Sequence, residues 1–162
     1  MNSIVVADAG PLLYLVLIDC ADLLEKLFDR VFVPAGVRDE LLDRGAPETV
    51  RTWIGLEKSW LSVEPVTLPQ AIRGLHKGES EALLLALQIR ASGVLMDDLD
   101  GRTAARRLDI PVIGTVGVLE RAAELKLMEL PEAIAKLRRT NFFASPELLD
   151  AALERDRKRR TE

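Results

Sequence analysis

Six carboxylates, at four places in the chain, have types and spacings suited to metal chemistry. Asp8 closes a short apolar run, Ile4 to Ala7. Glu40 lies a short way beyond a second run, Val31-Phe32-Val33. Glu79 and Glu81 open a long apolar stretch, and Asp97 and Asp98 close a third run, Gly93-Val94-Leu95-Met96. Each has a structural alternative. Asp8 can cap a helix beginning near Pro11, and Asp97 or Asp98 the helix that follows them. Glu40 can pair with Arg44 one turn on. Glu79 and Glu81 suit the positive end of a helix dipole. Taken together, carboxylates gathered at one edge repel one another, and that repulsion raises their pKa values unless a cation offsets it. No Lys or His stands within these motifs, so the offsetting cation is expected to be a hard divalent metal. Mg²⁺ and Mn²⁺ prefer oxygen donors. Such an ion can polarise a phosphoryl oxygen and activate water for in-line attack, so phosphodiester hydrolysis needs no protein nucleophile.

The elements that must position these groups follow from the hydrophobic pattern. Ile4–Ala7, Val31–Val33, Gly93–Met96 and Ile110–Ile113 read as buried strands. Leu61–Val66 alternates and reads as a strand or extended edge segment, because Pro65 excludes a central position. Helices are expected from Gly10-Pro11 onward, over Ala21–Phe28, Val37–Leu42, Thr49–Leu56, Gly78–Ala91 and Thr103–Leu108, from Gly117 through Leu125, and near Pro131–Arg139 and Pro146–Arg157. The Gly78–Ala91 helix is apolar around most of its circumference, as a buried helix is. Strands alternating with helices imply a three-layer α/β/α sandwich around a mainly parallel sheet. In such a sheet ligands bind beyond the carboxyl ends of the strands, where the acids fall.

Size and composition limit the alternatives. The 162 residues suit one globular unit, and 48% hydrophobic with 30% charged content excludes a disordered chain. We divide it into residues 1–140, carrying the site, and 141–162, a C-terminal helix and basic tail. No apolar run approaches the ~20 residues of a membrane span. The opening residues have no basic region before a long apolar stretch, so no signal peptide is expected. Cys20 is the only cysteine, which excludes an internal disulfide and a thiolate zinc cluster and fits a reducing, cytoplasmic setting. The net charge of −4 argues against a protein that coats nucleic acid but not against a nuclease. The basic groups Lys136–Arg139 and Arg155–Arg160 read as a solvated helix face and a frayed tail.

The motifs in order resemble a known family. Val5-Val6-Ala7-Asp8-Ala9-Gly10-Pro11-Leu12, then Val33-Pro34 followed by Val37 and Glu40-Leu41, is similar to the opening of a PIN domain. Gly78-Glu79-Ser80-Glu81-Ala82-Leu83-Leu84-Leu85-Ala86, Val94-Leu95-Met96-Asp97-Asp98 and Ile110-Pro111-Val112-Ile113-Gly114-Thr115 continue the likeness. The nearest branch is DUF3368, related to VapC-like toxin nucleases, and the resemblance covers about Ile4 to Leu130. It implies a Mg²⁺- or Mn²⁺-dependent endoribonuclease. By this resemblance Asp8, Glu40, Glu81 and Asp98 match the family's four acids, with Glu79 and Asp97 as additional metal-binding carboxylates. It also implies an RNA substrate, a homodimer, and a small antitoxin partner if the chain is the toxin of a type II pair. Met96 stands where many relatives carry Thr or Ser, and Glu81 where many carry Asp.

Thr115, just past the last strand, can bond a site carboxylate or phosphate, or cap the next helix. Arg102, with Arg106 and Arg107, can contact an RNA backbone, though helical spacing lets only some face the site. His76, the only histidine, reads as a surface loop residue. Trp53 and Trp60 read as packing against the sheet, with base stacking the alternative. Tyr14, Phe142 and Phe143 carry the same ambiguity, and the Phe pair could dock a partner. Three other functions share parts of the pattern. A non-catalytic PIN-like RNA- or protein-binding module needs no complete metal site. A receiver domain needs a Lys after the last strand, where Ile113-Gly114-Thr115 has none. A haloacid-dehalogenase-like phosphatase needs a second Asp where this chain has Gly10.

Overall fold

Val5 and Ala7 pack into one hydrophobic core and Val6, between them, into another, so the first apolar run is a strand buried on both faces. The computed structural model describes residues 3–68 and 70–162. Among these, β1 (Ile4–Ala7), β2 (Arg30–Pro34), β3 (Leu61–Glu64), β4 (Gly93–Leu95) and β5 (Val112–Ile113) form one sheet in the order β3-β2-β1-β4-β5. All four pairings of these strands are parallel, with Val5 opposite Val31 and Gly93, Val33 opposite Val63, and Leu95 opposite Ile113.

The helices are α1 (Ala9–Leu17), α2 (Leu23–Leu27), α3 (Ala35–Leu42), α4 (Glu48–Gly55), α5 (Lys77–Ile89), α6 (Leu99–Arg107), α7 (Thr115–Glu124), α8 (Leu130–Arg138) and α9 (Pro146–Thr161). Leu12, Leu15, Leu24, Val37, Leu41, Leu119 and Leu137 carry the core on one face, drawn from α1, α2, α3, α7 and α8. Leu83 and Leu85 of α5 and Ala105 of α6 cover the other face together with Met96 and Ile110. The expected three-layer architecture is therefore the one observed.

Chain order reverses on either side of β1: β2 lies beside it on one side and β4 on the other. That switch point opens a crevice at the strands' carboxyl ends. Asp8 leaves β1 there, with its N–H donating to the Leu95 carbonyl at 3.0 Å. Asp97 follows β4, whose extension is held by the Met96 N–H on the Ile113 carbonyl at 3.0 Å.

Several boundaries differ from the sequence reading. α1 begins at Ala9, so Pro11 sits within its first turn and not at its first position. β3 ends at Glu64, before Pro65, and pairs only with β2 as the sheet's edge strand. α6 begins at Leu99, well before the expected Thr103, because the Asp98 carboxylate caps it by accepting from the Gly101 N–H at 2.9 Å. The C-terminal segment is not a frayed tail. α9 buries Leu149 and Ala152 in the core, and its basic residues pair with acids of the body: Arg155 with Glu120 at 2.8 Å and Arg160 with Glu129 at 2.5 Å.

Candidate metal and catalytic site

Asp8 occupies the N-cap position of α1, but its carboxylate makes no capping hydrogen bond. The side chain points instead into a cavity of about 200 Å³ whose wall it shares with Glu40, Glu79, Asp97, Asp98 and His76. Asp8 is 7% exposed. Burial pushes its pKa up to about 7, and the charges of Glu79, Glu40 and Asp97 add to that rise while the Ala9 N–H opposes it. Asp8 is thus a buried acid without a counter-charge beside it: among the described residues, no Lys or Arg lines this cavity.

The other acids reach the cavity from separate elements. Glu40 lies in the last turn of α3. Glu79 is the third residue of α5, where its carboxylate loosely accepts from the His76 N–H at 3.4 Å. Burial raises the Glu79 pKa, with Asp98 adding to the rise. Asp97 is held firmly: it accepts from the Thr115 N–H at 2.7 Å and from the Thr115 hydroxyl at 2.6 Å. Burial still raises the Asp97 pKa, outweighing the Thr115 bonds and the nearby Arg102 charge. Asp98 is exposed at the rim and carries the α6 cap.

At Gly78 the acids crowd the helix backbone more closely than a side chain would leave room for, whereas the contact at Gly10 is an ordinary one. A Cβ on Gly78 would lie 3.1 Å from Glu40 Oε2 and 3.7 Å from Asp8 Oδ1, and one on Gly10 would lie 3.7 Å from Asp97 Oδ2. Gly78 was legible only as part of a motif, and its role needs the packed helices to be seen.

Glu81 does not line this cavity. Its carboxylate accepts from the Gly36 N–H at 3.0 Å, across the α3–α5 contact. The pair Glu79 and Glu81 is therefore divided, with Glu79 in the crevice. Thr115, fully buried as the first residue of α7, bonds Asp97 and is closed off from substrate. Arg102 flanks Asp97 from the far side, in a larger groove of about 540 Å³ that Asp97 also lines. Phe142 turns onto Tyr14 with ring centroids 4.9 Å apart, while Phe143, 97% exposed, borders that groove. Trp53 and Trp60 pack on each other and on the core. Arg106 and Arg107 are exposed.

The donor set is almost wholly carboxylate oxygen, with His76 the one nitrogen candidate, so it fits a hard cation and not a thiolate or imidazole metal centre. Among the described residues, no three His, Cys, Asp or Glu side chains close on a single point.

The chain matches the family DUF3368, described as a PIN domain, over residues 4–158. Its fold is similar to that of a PilT N-terminus domain protein, SSO1118, from the hyperthermophilic archaeon Sulfolobus solfataricus P2. The two are 14% identical with a TM-score of 0.51, over 88% of this chain and 99% of that one, a likeness of fold alone. No curated protein matches the sequence.

Proposed function

We propose, for a chain that belongs to the DUF3368 family of PIN domains, that it is a divalent-metal-dependent endoribonuclease hydrolysing RNA phosphodiester bonds. PIN domains are generally nucleases. The observation that carries the reading is Asp8: a buried carboxylate at the switch point of a parallel sheet, raised toward neutral pKa and sharing one cavity with four further acids.

Mg²⁺ or Mn²⁺, when bound, would supply charge to a phosphoryl oxygen and lower the pKa of a coordinated water. Asp8 and Asp97 are the rigid pair that would hold it. Asp8 is fixed by the strand end, and Asp97 by Thr115. Glu40 and Glu79, on two helices, are the adjustable arms that complete the set or take up a proton from water. Asp98, tied to the α6 cap, stands at the rim. The catalytic and metal-binding set that this geometry favours is Asp8, Glu40, Glu79 and Asp97, in place of one built on Glu81 and Asp98.

The groove beside Asp97 continues the crevice and supplies Arg102 as a phosphate contact and Phe143 as an exposed ring. The apolar residues around this groove, Leu99, Phe143 and Leu148, all at least half exposed, support a protein contact there, with a second copy of the chain or with the small antitoxin that a toxin role would require. The spread of the carboxylates favours one other reading, a PIN-like module that binds RNA without cutting it. Incubation of the purified protein with single-stranded RNA and Mn²⁺, with and without chelator, separates the two. Cleavage that chelator abolishes supports the nuclease, and RNA retention without cleavage at any Mn²⁺ concentration supports the module.

A further inference from the structure

The start of α3 lacks a capping side chain of its own, because Pro34 holds the N-cap position. Its free N–H groups need an acceptor from elsewhere. Glu81 supplies one from α5, accepting from the Gly36 N–H at 3.0 Å, and its negative charge suits the positive end of the α3 dipole. Glycine is what makes room: a Cβ at Gly36 would overlap the Glu81 carboxylate. The other partner of Glu81 is weak, the exposed Lys77 at 3.9 Å.

The two helices joined by this bond carry the two adjustable acids of the cavity. Glu40 is one turn beyond Gly36 on α3, and Glu79 is two residues before Glu81 on α5. A second close approach lies one turn along, where Glu40 packs against Gly78. Residues two apart on a helix point about 200° away from each other. Glu79 therefore faces the cavity while Glu81 reaches to α3.

We propose that Glu81 is a positioning residue of this site: by stapling the start of α3 to α5 it sets the separation of Glu40 and Glu79, without itself touching metal or substrate. The inference rests on the metal-dependent nuclease reading above. It makes the second acid of the Gly-Glu-Ser-Glu motif a partner of the fold's own backbone and the first acid the one that faces the ion.

The test uses the full chain and Mn²⁺ alone, read by calorimetry, together with hydrogen exchange at the Gly36 amide. Glu81→Ala is expected to speed exchange at Gly36 and to weaken Mn²⁺ binding by roughly 10- to 100-fold, the range for loss of a group that orients metal ligands. Glu81→Gln keeps an acceptor and is expected to keep both Gly36 protection and Mn²⁺ affinity close to wild type. Gly36→Ala, which leaves the carboxylate in the chain but moves it off the amide, is expected to weaken Mn²⁺ as Glu81→Ala does, and it serves where Glu81→Ala fails to fold. Loss of Mn²⁺ in Glu81→Gln as deep as in Glu81→Ala would make Glu81 a ligand and overturn the proposal. Faster Gly36 exchange with unchanged Mn²⁺ affinity would reduce Glu81 to a helix cap and overturn it equally. A wild-type protein that binds no Mn²⁺, while Glu81→Ala still frees Gly36, would instead remove the metal reading and the positioning role with it, leaving the staple.

Discussion

Thr115 grips Asp97 twice, through its backbone N–H at 2.7 Å and its hydroxyl at 2.6 Å, and it does so while completely buried. The bond joins the end of β4 to the first residue of α7, so the orientation of one cavity carboxylate depends on a side chain that never meets the cavity. Removing the hydroxyl tests that dependence. Thr115→Val keeps the shape and the N–H bond but loses the second bond, and it is expected to weaken Mn²⁺ binding roughly tenfold. It should also cost about 1.5–3 kcal/mol of stability, the range for a hydrogen bond to a charged group. Thr115→Ser should restore most of both in calorimetry and chemical denaturation.

The raised pKa of Asp8 makes stability depend on pH in a definite direction. The folded protein binds the Asp8 proton more tightly than the unfolded chain, whose Asp titrates near its ordinary value of 3.8. The burial of Asp8 is therefore harmless below about pH 4, and stability falls as pH rises from there through about 7. At pH 8 the penalty is on the order of 4 kcal/mol. In metal-free buffer Asp8→Asn is expected to melt higher than wild type at pH 8 and close to it at pH 4. Mn²⁺ should remove much of the difference at pH 8 by supplying the missing counter-charge, and its affinity should rise with pH through about 7 as the Asp8 proton ceases to compete.

Gly78 offers a test of the cavity's shape. A methyl group there would sit 3.1 Å from Glu40 Oε2, closer than ordinary van der Waals contact, and 3.7 Å from Asp8 Oδ1. Gly78→Ala is expected to displace Glu40 and to lower RNA cleavage at subsaturating Mn²⁺ by roughly tenfold. Its melting temperature should stay near wild type, because alanine favours the α5 helix over glycine.

How much of this was readable beforehand depended on whether the deciding partner was near in sequence. Asp8 and Asp97 could be placed at a sheet edge because a strand ending in an acid is a local pattern, and the order of strands and helices implied a parallel sheet. The choice between Glu79 and Glu81 was not local. Both open the same helix, and only the docking of α5 on α3 turns one toward the cavity and the other onto Gly36. α6 starts at Leu99, ahead of the expected Thr103, with Gly101 inside the helix and buried against Met96, a contact no local pattern displays. The C-terminal basic run looked solvated because its partners, Glu120 and Glu129, lie more than 30 residues away.

The C-terminal helix is expected to be part of the folding unit. Leu149 is 5% exposed and packs into the larger core, so Leu149→Ala should destabilise the protein by about 2–5 kcal/mol in urea titration. Loss of under 0.5 kcal/mol, typical of a surface substitution, would show α9 to be an appendage.

The central claim is that the Asp8 cavity performs metal-dependent RNA hydrolysis, and the most direct measurement is Mn²⁺-dependent cleavage by wild type and Asp8→Asn in one assay. Asp8→Asn should remain folded, since it removes a buried charge, and should lose cleavage by at least about a hundredfold, as when a metal-centred catalytic group is removed. Equal cleavage by Asp8→Asn and wild type at matched Mn²⁺ would contradict the assignment and place the chemistry outside this cavity.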